Sequence, residues 1–462
     1  MVDDATEAAL REAALRYHEE PVPGKLAIRV TKPMATQRDL SLAYSPGVAE
    51  ACMRIASVAE DAYRYTGKGN RVAVITNGTA VLGLGAIGAQ ASKPVMEGKV
   101  ALFKKFANID GFDIEVDEMD PEKLAEIVIA LEPTFGAVNL EDIKAPECFI
   151  VERICKERMG IPVFHDDQHG TAIVVGAAAI NAVQLAGKRF DEIKLVSTGG
   201  GAAGIACLNL LLDLGVRREN VWLFDINGLV HAGRDDLDET KRAYARKTDE
   251  GSIHDLIEAA DMFLGLSAPD LLKPEMVAKM AKDPIIFALA NPMPEIMPDV
   301  AREARPDAII ATGRSDFPNQ VNNVLCFPFI FRGALDVAAT QINEPMKQAC
   351  AHALADLARE TSSAEAAAVY RGERMVFGRD YLIPKPFDPR LIGQVAHAVA
   401  RTAMETGVAR HPIEDLAAYR TRLDSSVFRS SMLMKPVFEA ARNSERRIVF
   451  AEGEDERVLR AA

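Results

Sequence analysis

Glycines at positions 199, 201 and 204 sit between a short apolar run, 194–197, and a helical pattern over 202–212. A second apolar run, 221–224, comes next and ends in Asp225, 21 residues past Gly204. This spacing leaves a chain few options. The glycines permit a tight strand-to-helix turn, the helix amino terminus holds a pyrophosphate, and the carboxylate takes ribose hydroxyls. The pattern therefore predicts a dinucleotide site made of Gly199, Gly201, Ala202, Ala203, Gly204 and Asp225. Further short apolar runs at 262–266, 285–290 and 308–312 alternate with helical stretches. Such alternation predicts a Rossmann-like, doubly wound parallel sheet over 163–343.

The same glycine spacing occurs at Gly83, Gly85 and Gly88, but without a comparable strand and terminal acid, although Asp110 lies at a similar distance. We read this copy as backbone packing or substrate-loop geometry rather than as a second nucleotide site. The residues around Asp225 admit either cofactor. Its carboxylate repels a 2′-phosphate, whereas Lys241 and Arg242, one helix further on, would welcome one.

At 462 residues the chain exceeds one hydrophobic core. The segment before the repeating pattern mixes apolar runs at 72–75 and 137–140 with a helical pattern at 121–131, which predicts an α/β domain over 1–162. An alanine-rich helical segment is expected over 344–430, packed back on the other domains. A linker and one strand at 448–451 fill 431–462; that lone unit cannot bury its own faces, so a further domain is expected to come after it.

The net charge of −13, with only short basic clusters such as Lys104-Lys105 and Arg446-Arg447, argues against a nucleic-acid partner. Six cysteines without a CxxC pair suit a reducing cytoplasm. The start is acidic, and the longest apolar stretch, 171–183, is too short to cross a bilayer, so no membrane role is expected.

Two acid pairs, Glu141-Asp142 and Asp166-Asp167, come directly after the apolar runs 137–140 and 161–164. Ends of strands are where α/β sites are built. Four carboxylates gathered there would repel one another unless a hard cation held them, and oxygen ligands suit Mg²⁺ or Mn²⁺; solvated loop acids are the plainer alternative. His165 and His169 have a spacing that suits zinc on a helix, but Gly170 and the preceding strand argue against that geometry.

Several motifs resemble the malic enzyme family, in the bacterial hybrid type that is fused to a phosphate-acetyltransferase-like domain. They are Ala43-Tyr44-Ser45-Pro46-Gly47, Glu97-Gly98-Lys99 with Phe103-Lys104-Lys105-Phe106, Leu140-Glu141-Asp142-Ile143, the run from Phe164 to Thr171, and Gly313-Arg314-Ser315-Asp316 leading into Asn322-Asn323. The resemblance implies oxidative decarboxylation of malate to pyruvate and carbon dioxide with NADP or NAD, NADP being slightly favoured. It also implies Mg²⁺ or Mn²⁺ on Glu141, Asp142 and Asp167, Lys99 as general base with Asp166 beside it, and Tyr44 as general acid.

By the same resemblance Asn291 and Asn323 contact malate or cofactor, and Thr171 and Ser267 lie near the dinucleotide. A homodimer or higher homo-oligomer is implied. One departure concerns the second malate carboxylate. Where larger family members carry an arginine before the glycine loop, this chain has Ala80, so backbone amides of 83–88 or a partner-subunit residue would have to serve. The segment 447–454 resembles the opening of the acetyltransferase-like domain, which implies acetyl-CoA regulation only in a longer chain. The rival readings are a hydroxy-acid dehydrogenase that does not decarboxylate, which would need no metal, and a silent dinucleotide-sensing module.

Overall fold

The structure is a computed structural model that describes residues 4–427, apart from 82, 249–250, 362–369 and 371–374. The chain begins with three helices, α1 (Asp4–Glu19), α2 (Gln37–Ala43) and α3 (Val48–Ser57), and the latter two bury no side chain. Leu10, Leu15, Tyr17, Ile28 and Met34 along this arm are exposed, Ile28 to 90 %. The first sheet comes next. Its strands are β1 (Arg71–Thr76), β2 (Asp110–Glu115), β3 (Ala137–Leu140) and β4 (Val163–His165), all parallel in the order β2-β1-β3-β4.

Strands β1 and β3 are apolar almost throughout because helices cover both faces of a parallel sheet. The crossovers are α4 (Ala89–Ala107), α5 (Pro121–Ala130) and α6 (Glu147–Arg158). Helix α7 (Asp166–Leu185) then leaves β4 and is buried along most of its length. Its small residues make this possible: a methyl group on Gly176 would stand 2.8 Å from Leu210. The longest apolar run of the sequence is thus a buried helix crossing from one sheet to the other.

The second sheet contains β5 (Leu195–Thr198), β6 (Val221–Asp225), β7 (Gly228–Leu229), β8 (Met262–Gly265), β9 (Ile285–Ala288) and β10 (Ile309–Thr312). The order is β10-β9-β8-β5-β6-β7, parallel except for β7 against β6. The chain proceeds from β5 to β6 on one side and resumes at β8 on the other, so a crevice opens at the carboxyl end of β5. Helix α8 (Ala202–Asp213) leaves from that end.

The sequence reading differs in two places. Residues 163–165, expected to open the second unit, pair with β3 in the first sheet. The apolar runs 262–266 and 285–290 stop being strand at Gly265 and Ala288, because there the chain turns into loops that carry Ser267 and Asn291. The expected strand at 448–451 lies outside the described residues.

Helices α9 (Phe327–Asp336), α10 (Glu344–Arg359), α11 (His397–Glu405) and α12 (Leu416–Val427) complete the described chain. They share one apolar core with both sheets, in which Val72, Phe103, Leu195, Phe331, Leu354 and Tyr419 all lie. Phe103 on α4 meets Phe327 and Phe331 on α9 edge-on at 4.8 and 5.2 Å. No described helix is long and apolar enough to cross a membrane. Asn181 on α7 is fully buried and pins the C-terminal part: its amide donates to Ala355 O at 2.9 Å and Leu382 O at 2.7 Å, and its oxygen accepts from Arg359 Nε at 2.7 Å. Asn181→Leu leaves those groups unpaired in a dry core and is expected to cost about 3 kcal/mol, visible as a fall of several degrees in the thermal unfolding midpoint.

Candidate active site

Glu141 and Asp142 come directly after β3, and Asp166 and Asp167 open α7 after β4, so adjacent parallel strands deliver both acid pairs to one edge. Carboxylate oxygens of Glu141, Asp142 and Asp167 lie within 4.8 Å of one another. Asp142 adopts φ 52°, a left-handed conformation uncommon for a residue with a side chain, and its amide donates to Asp167 Oδ2 at 2.7 Å. Asn139 donates to Glu141 Oε2 at 2.8 Å. Burial pushes the carboxyls of Glu141 and Asp167 above their ordinary range despite the nearby Lys99. Three converging oxygen ligands whose charges are unfavourable as they stand fit a hard divalent cation.

Lys99, on α4 and only 7 % exposed, is the cation these acids share. Its Nζ donates to Glu141 Oε1 at 2.8 Å and to Asp166 Oδ2, and it sits 4.0 Å from the centre of the Phe327 ring. Burial works to lower its pKa, but Asp166, Glu141 and Asp167 outweigh burial and hold the ammonium above the ordinary lysine range. A lysine that serves as a base needs its pKa brought down by burial or neighbouring charge, and here the neighbouring charges act the other way. The reason is the charge ratio: several carboxylates face one ammonium, and a divalent cation on the acids would weaken that hold.

Asp166 is wholly buried, and burial lifts its carboxyl as well. Besides Lys99 it accepts from Asn323 Nδ2 at 2.6 Å, so Asn323 joins the lysine and acid cluster. Gly170, one turn later on α7, is where a side chain would collide with Asp166 Oδ1. A glycine that argues against a helix in the sequence thus lies inside one, making room for the acid. Burial lowers His169 to about 4, and it bonds Glu152 at 2.8 Å and Lys347 at 3.1 Å. Among the described residues the metal-suited group is the acid triad, not the histidines. The structure does not bury Tyr44 with this cluster. It stands at the end of α2 and is 72 % exposed.

At the crevice, Gly199 takes φ 100°, and a side chain there would strike Leu266 O. One on Gly204 would strike Gly199 O, so helix and strand pack on bare backbone. A methyl group on Gly201 would meet nothing within 4 Å, which leaves that side open. Ala202 and Ala203 form the first turn of α8. Ser267 donates to Thr198 Oγ1 at 2.9 Å, which brings it beside the glycine turn. Thr171 lies on α7, which packs against α8.

Asp225 is paired rather than open. Arg234 grips it through Nη1 at 2.8 Å and Nη2 at 3.0 Å, and Lys241 Nζ adds a third bond at 3.0 Å. Burial would raise this carboxyl, but those bonds win and hold it below the ordinary range. Lys241 also leans on the glycine turn, its Cε 3.0 Å from where a methyl on Gly200 would be. Arg242 turns away to Leu237 O at 3.0 Å. Sequence reasoning missed Arg234, nine residues past Asp225, whose only signal was its position after the short β7 return. It also missed Glu295, fully buried, which accepts from Ser267 N at 2.8 Å and Ala290 N at 3.1 Å and so ties together the loops after β8 and β9.

Residues 23–156 match the family described as "Malic enzyme, N-terminal domain", and residues 168–371 match "Malic enzyme, NAD binding domain". The chain belongs to the malic enzyme family. It is 62 % identical over 453 residues to a protein of Rhizobium meliloti named NAD-dependent malic enzyme, covering 98 % of this chain and 59 % of that protein. An NADP-dependent malic enzyme of Halomonas elongata is 56 % identical over 404 residues, 87 % of this chain and 96 % of that one. A crystal structure of malic enzyme from Pyrococcus horikoshii superposes with a TM-score of 0.83 at 40 % identity, covering 94 % of this chain and all of that one. The chain spans 59 to 60 % of the length of several curated relatives that it matches. The names of the relatives divide between the two cofactors, so the residues around Asp225 must decide.

Whether the triad binds a metal is directly measurable. Titration with Mn²⁺ is expected to find one tight site per chain, weakened by more than about tenfold in Asp167→Asn, the loss already typical of removing a group that merely orients a ligand. Because Glu141 and Asp167 hold protons to higher pH than ordinary carboxyls, ion binding should release protons and weaken as pH falls through their raised range.

Proposed function

We propose that this protein is a cytoplasmic, divalent-metal-dependent malic enzyme that converts malate to pyruvate and carbon dioxide while reducing NADP⁺. The observation that carries this is Lys99 clasped between Glu141 and Asp166 beside the acid triad, in a chain that also builds a dinucleotide turn. In this reading Glu141, Asp142 and Asp167 hold Mg²⁺ or Mn²⁺. Gly199, Gly201, Ala202, Ala203, Gly204, Asp225 and Ser267 form the nucleotide crevice, with Thr171 at its side. When bound, the metal supplies a Lewis acid for the oxygens of the keto acid, and the nicotinamide accepts a hydride.

The chain's own residues handle the protons. Lys99 first releases its ammonium proton to solvent, which a cation on its acid neighbours would favour; the neutral amine then takes the proton of the C2 hydroxyl as the C2 hydride departs, and Asp166 accepts a hydrogen bond from the resulting ammonium. Asn323 holds Asp166 in register. Carbon dioxide then leaves with cleavage of the C3–C4 bond, whose electrons form the enolate of pyruvate; the Tyr44 hydroxyl delivers a proton to C3, and its phenolate recovers one from solvent as the Lys99 ammonium releases its own. A hydroxy-acid dehydrogenase that stops at the keto acid has no use for the triad.

NADP⁺ is the preferred acceptor on the strength of Arg234 and Lys241. Both bind a carboxylate at the position of the adenosine ribose, which removes the repulsion that a bare Asp225 would offer a 2′-phosphate. Absorbance at 340 nm with malate and Mn²⁺ tests the reading. The wild type is expected to reduce NADP⁺ faster than NAD⁺ and to yield pyruvate; EDTA or Lys99→Ala should abolish turnover, and Lys241→Ala should raise the NADP⁺ KM with little change for NAD⁺. Oxaloacetate as product, unaffected by EDTA, would favour the simple dehydrogenase, and nucleotide binding without turnover the silent module.

The role of Tyr44 requires a second copy of the chain. An exposed arm rich in apolar side chains is what an interface between identical subunits would cover, and Tyr44 lies on it. We therefore assign Tyr44 to the neighbouring subunit's site. Lys99→Ala and Tyr44→Phe chains, each inactive alone, should regain activity when mixed as dimers, because one site then holds both intact residues. A monomeric mass in solution or no regain would count against this. The hybrid arrangement rests on the resemblance of 447–454 alone, and acetyl-CoA sensitivity is expected only of a chain carrying that domain.

A further inference from the structure

Malate brings two carboxylates, and the cluster around Lys99 accounts for one. Four carboxylates set against one ammonium and one divalent cation still leave excess negative charge, so the second carboxylate needs a cation from elsewhere. The glycine loop brings none, since Ala80 and its neighbours through Gly88 include no basic side chain. The loop itself shows where to look. It starts beside the metal triad, with Ala80 N donating to Asp142 O at 2.9 Å. It then reaches Asn291: a methyl on Gly83 would lie 3.6 Å from Asn291 O and 3.9 Å from Pro292.

On the far side of Asn291 is the turn after β10. A methyl on Gly313 would stand 2.7 Å from Asn291 Nδ2, and the next residue, Arg314, donates from Nη1 to Pro292 O at 3.3 Å. Asp316 takes Nε at 2.8 Å and Nη2 at 2.7 Å. One edge of the guanidinium is thereby held flat; Nη1 also reaches Met293 Sδ at 3.7 Å, a weak acceptor, so the N–H donors of Nη1 and Nη2 that face away from Asp316 can turn to a carboxylate. Lys144, the other basic side chain close to Asp142 in sequence, is turned toward Glu147 at 3.1 Å and is half exposed.

We propose that Arg314, oriented by Asp316 and seated against the Asn291 loop, binds the malate carboxylate that the metal does not hold. This rests on the malate reading above. The arginine replaces from the second sheet what Ala80 lacks in the first, so that the two domains each bind one end of the substrate.

The test compares Arg314→Ala, Arg314→Lys and Lys144→Ala in malate oxidation with Mn²⁺ and NADP⁺, together with inhibition by oxalate, which carries the metal-chelating half of the substrate and nothing beyond it. Arg314→Ala is expected to raise the malate KM about tenfold or more, with a smaller change in kcat and an unchanged oxalate inhibition constant. Arg314→Lys keeps the charge but loses the planar fork and should fall between. Lys144→Ala should match the wild type. An unchanged malate KM in Arg314→Ala overturns the assignment, as does parallel weakening of malate and oxalate, which would mark a general distortion of the site, or a loss that appears in Lys144→Ala instead. A wild type that shows no metal-dependent malate oxidation fails the underlying reading and is seen before any variant is made.

Discussion

The buried ammonium of Lys99 is the interaction on which the site depends. It reaches Glu141, just past the end of β3, and Asp166, which opens α7 after the neighbouring β4, so that α4 is tied to two adjacent strand ends of the first sheet. A buried pair of this kind is not stabilising by default, because desolvating the charges costs about as much as their attraction returns. What it does here is fix register. The helix that carries Lys99 cannot slide along β1 without uncovering an unpaired charge, and Asp166 cannot turn without losing both Lys99 and Asn323. Since Asn323 comes after the last strand of the second sheet, the same carboxylate also fixes how the second domain meets the first.

Charge imbalance is the other half of this design. More acids than cations are gathered in a dry place, and the raised carboxyls of Glu141, Asp166 and Asp167 record that strain. In the proposed reading, a divalent ion on these acids would relieve it and would also loosen the grip on the Lys99 proton. Metal occupancy and the basicity of the lysine are then one property. On the proposed function, a lysine held above its ordinary range by its acid neighbours would suit a base once an ion shared those acids.

The fold is largely legible in the sequence because its signals are local. Strand β3 falls where the apolar run lies, and β5 and β6 within a residue, since parallel strands covered on both faces must be apolar end to end. The two acid pairs can be read because residues just past a strand end stand at the open edge of the sheet, whereas the choice of three among the four comes from the family resemblance. The features that escape depend on distance in sequence. Gly170 reads as a helix breaker until the Asp166 side chain, one turn away, explains why nothing larger fits. Residues 163–165 read as the start of a new unit because pairing with β3 leaves no trace in the run itself. Arg234 and Glu295 act across loops whose paths no periodicity describes, and no local pattern marks Tyr44 as standing exposed, away from the acid cluster.

The nucleotide crevice shows how a single carboxylate can be turned to either specificity. Asp225 closes β6 where an acid ordinarily meets the ribose hydroxyls, and alone it would exclude a 2′-phosphate. Arg234 and Lys241 surround the same carboxylate with two cations, and Lys241 leans on the glycine turn as well. In the proposed reading the distinction between NAD⁺ and NADP⁺ would lie less in the fingerprint acid than in the cations that the β7 return and the helix beyond it place on that acid. Relatives more than half identical to this chain carry both cofactor names. A specificity set by one or two side chains outside the glycine motif can change without disturbing the turn, the strand or the helix that bind the rest of the cofactor.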